Sequence, residues 1–515
     1  MKITIVGGGT AGFITALIFN ERLNADIEMI VPSNIGIIGV GEGSTKHWSK
    51  FLSFIGVTKT ECLLQSKGTT KGGINFIGWT SKRGDYAHSI SGDYVNDKLG
   101  DTTYIQTKLM SENISNYEYT GHELRNNVIV DEAETGGWNQ FHFNTFALND
   151  FLTELATSRG IKIIDDEITQ VHKDENGISK LTGTKDEYIS DLYVDCTGFK
   201  RLLISELGAK WVSYGKYLPL KEAIAFGTKD SDVYPVLTEA RAMSAGWKWL
   251  IPTYGRTGNG YIFDTDFISK EQAHDEINFM YGEDIEIAKH IKFDPGKLDK
   301  VCIKNCLAVG LSANFLEPLE ATSIGTTIQQ AFIAMHKIRG DGSISPPDRK
   351  LINDITDGIM HNTRDLVALH YINDNRSTPF WRMCADLPRP DSLMSLLESM
   401  KYKPLDDHDI VNMYGSGYAL FEADNFNLVA YFRQLLRPQI CQLQLNGVKP
   451  NLKENIWNRK YKESLQHRWL KSKYDLDCTP HKAYIQQLHE LNGDYKKIKY
   501  THYIDKKDFK LKEKA

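Results

Sequence analysis

The chain has 515 residues, 41% of them hydrophobic and 25% charged, with a formal net charge of -5. That length can bury a large core, and the ordinary balance of residue types marks a globular protein rather than a disordered or fibrous one. The acidic balance provides no field to hold nucleic acid or an anionic membrane surface, and no apolar run reaches the length of a membrane span.

The chain enters directly into Lys2-Ile3-Thr4-Ile5-Val6, without a charged lead or a cleavage site, so no signal peptide is expected. Residues 3–6 read as a strand, Gly7-Gly8-Gly9-Thr10-Ala11-Gly12 as a turn, and residues 13–19 as a helix. A second strand over 26–31 completes a βαβ unit. A long mixed region runs to about 140, and Phe141-His142-Phe143-Asn144 precedes a helical stretch over 148–159. Strands follow at 161–164, 168–171 and 191–194, the last running into Asp195-Cys196-Thr197-Gly198. Short strands continue to about 265, a strand over 302–309 leads into another helix, and the pattern is mostly helical from about 320. The tail beyond 450 is rich in Lys, Tyr and Trp, and its last dozen residues read as a solvated end. No internal repeat and no Pro- or Ser-rich linker divides the chain. The expectation is a cofactor domain over 1–330, with substrate insertions at about 50–140 and 205–300, and a helical region over 331–515 that completes the substrate side.

A G-x-G-x-x-G pattern is a weak signal alone, but here it follows a strand and opens a helix. Backbone amides of Gly7, Gly8, Gly9, Thr10, Ala11 and Gly12 can then approach a pyrophosphate, whose charge the helix N-terminus stabilises. FAD and NAD both suit such a turn. The late strand ending in Asp195-Cys196-Thr197-Gly198 favours FAD and an α/β fold: a Rossmann-like FAD-binding domain of flavoprotein monooxygenase type, with mixed-sheet insertions and a mostly helical C-terminal part. The second strand should end in an acid that holds the ribose, yet Val31 stands there and Glu28, three residues earlier, is expected to face elsewhere. Losing one charge-assisted hydrogen bond weakens binding by about 1.5–3 kcal/mol. That loss is tolerable where reduced flavin arrives from a separate reductase.

Seven cysteines are scattered, with Cys302 and Cys306 the only close pair. No second Cys/His pair at zinc spacing accompanies them, so no metal site is expected and a reduced, cytoplasmic protein is the simplest account.

Trp247-Lys248-Trp249-Leu250-Ile251-Pro252 sets two indoles on one side of an extended segment, which Pro252 is expected to end by withholding a donor. By itself this reads as two core tryptophans. The W-x-W-x-I-P spacing is, however, similar to the signature of the flavin-dependent halogenases typified by the tryptophan halogenases. Further blocks resemble that family in order: Gly39-Val40-Gly41-Glu42-Gly43-Ser44-Thr45, Thr70-Lys71-Gly72-Gly73-Ile74-Asn75-Phe76-Ile77-Gly78-Trp79, Phe315-Leu316-Glu317-Pro318-Leu319-Glu320-Ala321-Thr322-Ser323-Ile324-Gly325, and Thr378-Pro379-Phe380-Trp381-Arg382. Gly43-Ser44 and Ser323 depart from the family's residues, and the tail after 450 has no counterpart in the resemblance.

The resemblance implies an enzyme using FADH2, O2 and chloride or bromide, in which halide attack on a flavin hydroperoxide yields hypohalous acid. Val40, Glu42, Gly43, Ile168, Gly198, Leu311 and Ile324 would lie around the flavin, and backbone amides near Thr322 and Ser323 would cradle the halide at a helix start suited to Pro318. Lys71 would intercept the hypohalous acid, by hydrogen bonding or as a haloamine, and Glu320 would stabilise the attacked ring and take its proton. Trp247, Trp249 and Pro252 would separate flavin from substrate, with His88 on the substrate side. Without the surrounding blocks, Lys71 reads as a solvated side chain, Glu317 and Glu320 as helix-start acids, and His88 as an ordinary core or surface histidine. The residues that grip an amino-acid group in tryptophan-specific members are not recognisable, so an indole or a phenol is as credible as tryptophan. A separate flavin reductase and a possible homo-oligomer complete the expected partners. An aromatic hydroxylase on the same fold, and a flavin protein without catalysis, are the competing readings.

Overall fold

A computed structural model describes residues 1–33, 36, 41–80, 84–88, 101–113, 127–130, 140–372, 374–415, 417–451, 478–494 and 497–499. Val40 and the last dozen residues lie outside these. The opening strand Lys2–Val6 is buried on both faces, as a central parallel strand flanked by helices must be. Helix Thr10–Arg22 crosses over it, burying the run from Gly12 to Phe19, and strand Asp26–Ile30 returns parallel with Lys2 opposite Asp26. Strand Leu192–Asp195 pairs parallel on the other side, so that Asp195 lies opposite Val6. The six-stranded sheet runs Cys302–Ile303, Cys306–Ala308, Leu192–Asp195, Lys2–Val6, Asp26–Ile30, Lys162–Ile164. The helix expected over 148–159 spans Thr145–Ser158, started by Asn144, whose side chain accepts from the Phe146 and Ala147 amides.

One expectation fails at the sheet edge. Residues 302–309 are not one strand: Lys304, at φ 54°, folds them into an antiparallel hairpin with Ile303 opposite Cys306. Two short 3-10 turns, Gly310–Ser312 and Leu319–Ala321, then intervene before the next helix.

A second, seven-stranded sheet draws on both expected insertions. Its order is Lys289–Lys292, Glu222–Thr228, Arg256–Phe263, Gly246–Thr253, Leu237–Met243, Gly73–Ile77, Tyr86–His88. Strand Gly246–Thr253 carries the tryptophan pair near its middle. Pro252 does not end it: the strand runs to Thr253, with Pro252 opposite Thr257. Pairing with Leu237–Met243 stops at Leu250, so the missing Pro252 amide costs no ladder bond on that side.

The C-terminal part is helical, led by Thr322–Met335 and the 25-residue Pro346–His370. The boundary expected at 330 falls inside the first of these. Strand Cys478–Pro480 pairs back onto Val128–Val130, and helix His481–Glu490 follows it.

Candidate active site

The first turn opens onto a cavity of about 690 Å³, a size typical of organic-ligand pockets. Gly7, Gly8, Gly9, Thr10 and Ala11 line it with Ile168, Gly198, Leu311 and Ile324. The glycines have distinct roles. A Cβ on Gly7, at φ 118°, would lie 2.2 Å from the Cys196 carbonyl oxygen, so only glycine lets the two strand ends meet. Among the described residues, Gly9 and Gly198 have nothing within 4 Å of such an atom and leave backbone bare toward the cavity. Gly12 does not line it: a Cβ there would sit 2.1 Å from the Gly7 carbonyl, so this glycine closes the turn onto the helix. Asp195 is spent within the protein, its oxygens accepting from Thr197, Ser312 and the amides of Leu203 and Ile204. Bare amides at a helix start, beside a mostly apolar cavity, fit a dinucleotide bearing a flavin.

Val31 lines this cavity where a ribose-holding acid would stand, and Glu28 does face elsewhere, accepting from Thr4 at 2.8 Å and pairing with Lys2 at 3.0 Å. Asp166 and Glu167, absent from the sequence reading, border the cavity just after the edge strand. Asp166 already accepts from Thr184, Lys185 and Tyr188, which leaves Glu167 as the acid open to a ribose.

The tryptophan pair forms the far wall. Trp247 and Trp249 line the cavity with ring centroids 6.0 Å apart. Gly260 lies opposite Trp249 and a Cβ there would come 2.1 Å from the indole, so a bare strand is what lets that ring lie flat. Pro252 stands outside the wall, contrary to the role expected of it, and its carbonyl accepts from the Thr69 hydroxyl at 2.8 Å. Trp79 packs against Trp247, and Trp381 and Tyr371 pack in turn on Trp79.

Glu42, Gly43, Glu320, Thr322 and Ser323 complete the lining. Burial pushes the Glu42 carboxyl up to about 7. Pro318 is not in the first turn of the long helix. Glu320 and Ala321, at φ 66° and 54°, are left-handed and delay that helix to Thr322. Among the described residues no side chain caps it, so its first amides remain free to face an anion at Thr322 and Ser323.

Lys71 is fully buried and does not itself line the cavity. Its Nζ donates to the Ser44 carbonyl at 2.9 Å, and an atom at the Gly43 Cβ position would be 3.3 Å from it. The amine thus stands directly behind a cavity-lining glycine. Burial lowers its pKa to about 8, with Glu320 opposing the shift.

Glu320 is also fully buried and caps no helix. His88 Nδ1 donates to its Oε1 at 2.8 Å, and His370 Nε2 stands 2.9 Å from the same oxygen. Despite the penalty of burial, these imidazoles hold the carboxyl well below its usual range. Oε2 has no hydrogen-bond partner among the described residues. His370 Nδ1 is 2.7 Å from the Tyr86 hydroxyl, and the ring stacks on Phe76. The ligand atoms of His88, Glu320 and His370 lie within 4.8 Å of one another, a donor set capable of holding a cation that no Cys/His spacing announced. Glu317, the other acid of its block, accepts from Tyr371 at 2.7 and 2.9 Å, and burial raises it to about 8.

The arrangement therefore has a nucleotide cleft walled by two tryptophans, with the Glu320 carboxylate on its lining and a buried amine directly behind Gly43. A flavin-type nucleotide turn, a tryptophan pair and a buried lysine and glutamate around one cavity define a flavin-dependent halogenase. The chain belongs to the tryptophan halogenase family, whose sequence model matches residues 2–445. It is 30% identical over 457 residues to a 7-chloro-L-tryptophan 6-halogenase of Kutzneria sp. (strain 744), covering 80% of this chain and 87% of that one. The fold matches a crystal structure of a tryptophan halogenase from Shewanella frigidimarina at TM-score 0.83 and 24% identity, covering 95% of this chain and 98% of the other. A flavin-dependent halogenase from Xanthomonas campestris matches at TM-score 0.80 and 23% identity, covering 94% and 98%.

Proposed function

We propose that this halogenase acts on a small electron-rich arene, an indole, a phenol or a tryptophan-like molecule, with Lys71 presenting the halogen and Glu320 serving the ring. Gly7 to Ala11 would hold the FAD pyrophosphate, and Thr322 and Ser323 the halide. Bound as FADH2 and supplied with O2 and halide, the cofactor provides an oxidised halogen as hypohalous acid. The single observation that carries the reading is the placing of the Lys71 amine, buried, 3.3 Å from the Cβ position of a glycine that lines the cavity.

Near neutral pH the Lys71 ammonium donates a hydrogen bond to hypohalous acid, while the neutral amine takes the halogen as a haloamine and releases water. The arene attacks that halogen and becomes a cation as the bond behind the halogen breaks. Hypohalous acid leaves hydroxide, which takes the ammonium proton and departs as water; a protonated haloamine leaves the neutral Lys71 amine. Glu320 Oε2, anionic and unpartnered, stabilises the positive ring and accepts its proton. A carboxylate of lowered basicity suffices, because a protonated arene is a far stronger acid than any carboxyl group. The Trp247/Trp249 wall keeps the arene off the flavin, and the helical region after 330 completes its side. Cys62, Cys196, Cys302, Cys306, Cys384 and Cys441 are free thiols, which suits a reducing cytoplasm, and among the described residues no helix is long and apolar enough to cross a membrane.

The test supplies the protein with a flavin reductase, FAD, bromide and indole. A brominated indole mass that requires all four supports the reading. NAD(P)H-driven hydroxylation without reductase or halide would replace it with the hydroxylase.

A further inference from the structure

The family match stops at 445, yet residues 478–491 return to the site. Strand Cys478–Pro480 carries the chain across Val128–Val130, and helix His481–Glu490 buries Tyr484, Ile485 and Leu488. Its first residue, His481, is fully buried beside Thr70, the residue before Lys71. The Thr70 amide donates to His481 Nε2 at 3.3 Å, so that nitrogen carries no proton and Nδ1–H donates to the Tyr234 carbonyl at 3.1 Å. The Thr70 hydroxyl lies 2.7 Å from the same Nε2. Burial drives the imidazole down to about 4, which keeps this neutral tautomer through the working range. More of the tail fixes the ring in place: Lys482 pairs with Asp230 at 2.8 Å, and His489 stacks on Tyr254 at 3.8 Å.

We infer that residues 478–491 are a positioning element of the active site, in which His481 clamps Thr70 so that the Lys71 amine stays behind Gly43. Thr70 sits in a two-residue strand, too short to hold itself. Its neighbours are tied in the same way. The Thr69 hydroxyl lies 3.1 Å from His142 Nδ1 and donates to Pro252 on the tryptophan strand, and the Lys71 amide donates to Gln140 at 3.0 Å. Among the described residues the amine has only the Ser44 carbonyl as a hydrogen-bond acceptor, so a shift of the backbone at Thr70 moves it directly. This inference rests on the proposed role of Lys71, but its test separates the two.

Reductive methylation of the flavin-free protein, read by peptide mass spectrometry, compares Lys71 with Lys248. Lys248 is a second buried lysine, bonded to Tyr281 at 2.9 Å on the seven-stranded sheet. His481→Ala should raise Lys71 labelling about tenfold, the scale of losing one buried hydrogen-bonding partner, and leave Lys248 unchanged. With FADH2 and bromide, the variant should consume flavin at the parental rate while the brominated arene per flavin falls and hypobromous acid reaches a soluble scavenger. His481→Gln retains an acceptor and should recover part of the yield; it carries the test if the alanine variant does not fold. Equal labelling of Lys71 in parent and variant, or a parallel rise at Lys248, overturns the clamp. Full activity of Lys71→Ala would instead overturn the role of Lys71 itself.

Discussion

Lys71→Met isolates the electrostatics of the buried amine. The folded lysine titrates at about 8 against an ordinary 10.5, chiefly because burial penalises the ammonium. Below pH 8 both folded and unfolded chains hold the proton, and the burial penalty is fully present. Between pH 8 and 10.5 the folded chain has lost a proton that the unfolded chain retains, so stability rises with pH. At 1.36 kcal/mol per pH unit this interval corresponds to about 3 kcal/mol. Methionine keeps similar bulk but does not titrate. Losing the bond to Ser44 offsets the variant's curve by a constant and leaves its slope untouched. Other titrating groups, Lys248 among them, are shared and cancel in the comparison. Urea unfolding of both proteins at intervals from pH 7 to 10.5 should show the parent gaining about 3 kcal/mol on the variant. Parallel curves would mean that the Lys71 amine is solvated and the geometry behind Gly43 is wrong.

Glu320→Gln keeps the shape but removes the anion, and should slow turnover by roughly 100-fold or more while FAD affinity, read by fluorescence quenching, stays unchanged. Trp249→Ala opens the wall over Gly260, so hydroxylated arene should appear beside halogenated product in mass spectra. Product that stays wholly halogenated would show that the wall does not separate the compartments. The Glu317 carboxyl, raised by burial to about 8, binds a proton that the unfolded chain releases near 4.5, so the folded state loses stability as pH rises between those values. Glu317→Gln should flatten that decline in thermal unfolding followed from pH 5 to 9, and an unchanged slope would reject the assignment.

The cofactor half was legible because its signals are local. A glycine turn between strand and helix depends on backbone reach, and Gly7, Gly8 and Gly9 lie on the cavity as the motif implies. Lys71 and Glu320 emerged only through the family resemblance, since nothing in the spacing of residues 71 and 320 announces that Gly43 lies between the amine and Ala321. His370 and Tyr86 were missed as partners for the carboxylate, because contacts between residues far apart in sequence carry no periodic signal. Pro252 and Pro318 misled for a physical reason. A proline suggests a strand's stop or a helix's start, whereas pairing on one side only accommodates the first, and two left-handed residues after the second set the true helix start. His481 had no sequence signal, since the tail that brings it to Thr70 lies beyond the segment that the family's sequence model matches.

The central claim is that halogen passes from the nucleotide cavity to the arene by way of the Lys71 amine. Lys71→Ala, supplied with reductase, FAD, bromide, indole and a soluble hypohalite scavenger, tests it directly. Parental flavin consumption, brominated scavenger and no regioselective bromoindole are expected. Bromoindole formed at the parental rate and position would contradict it.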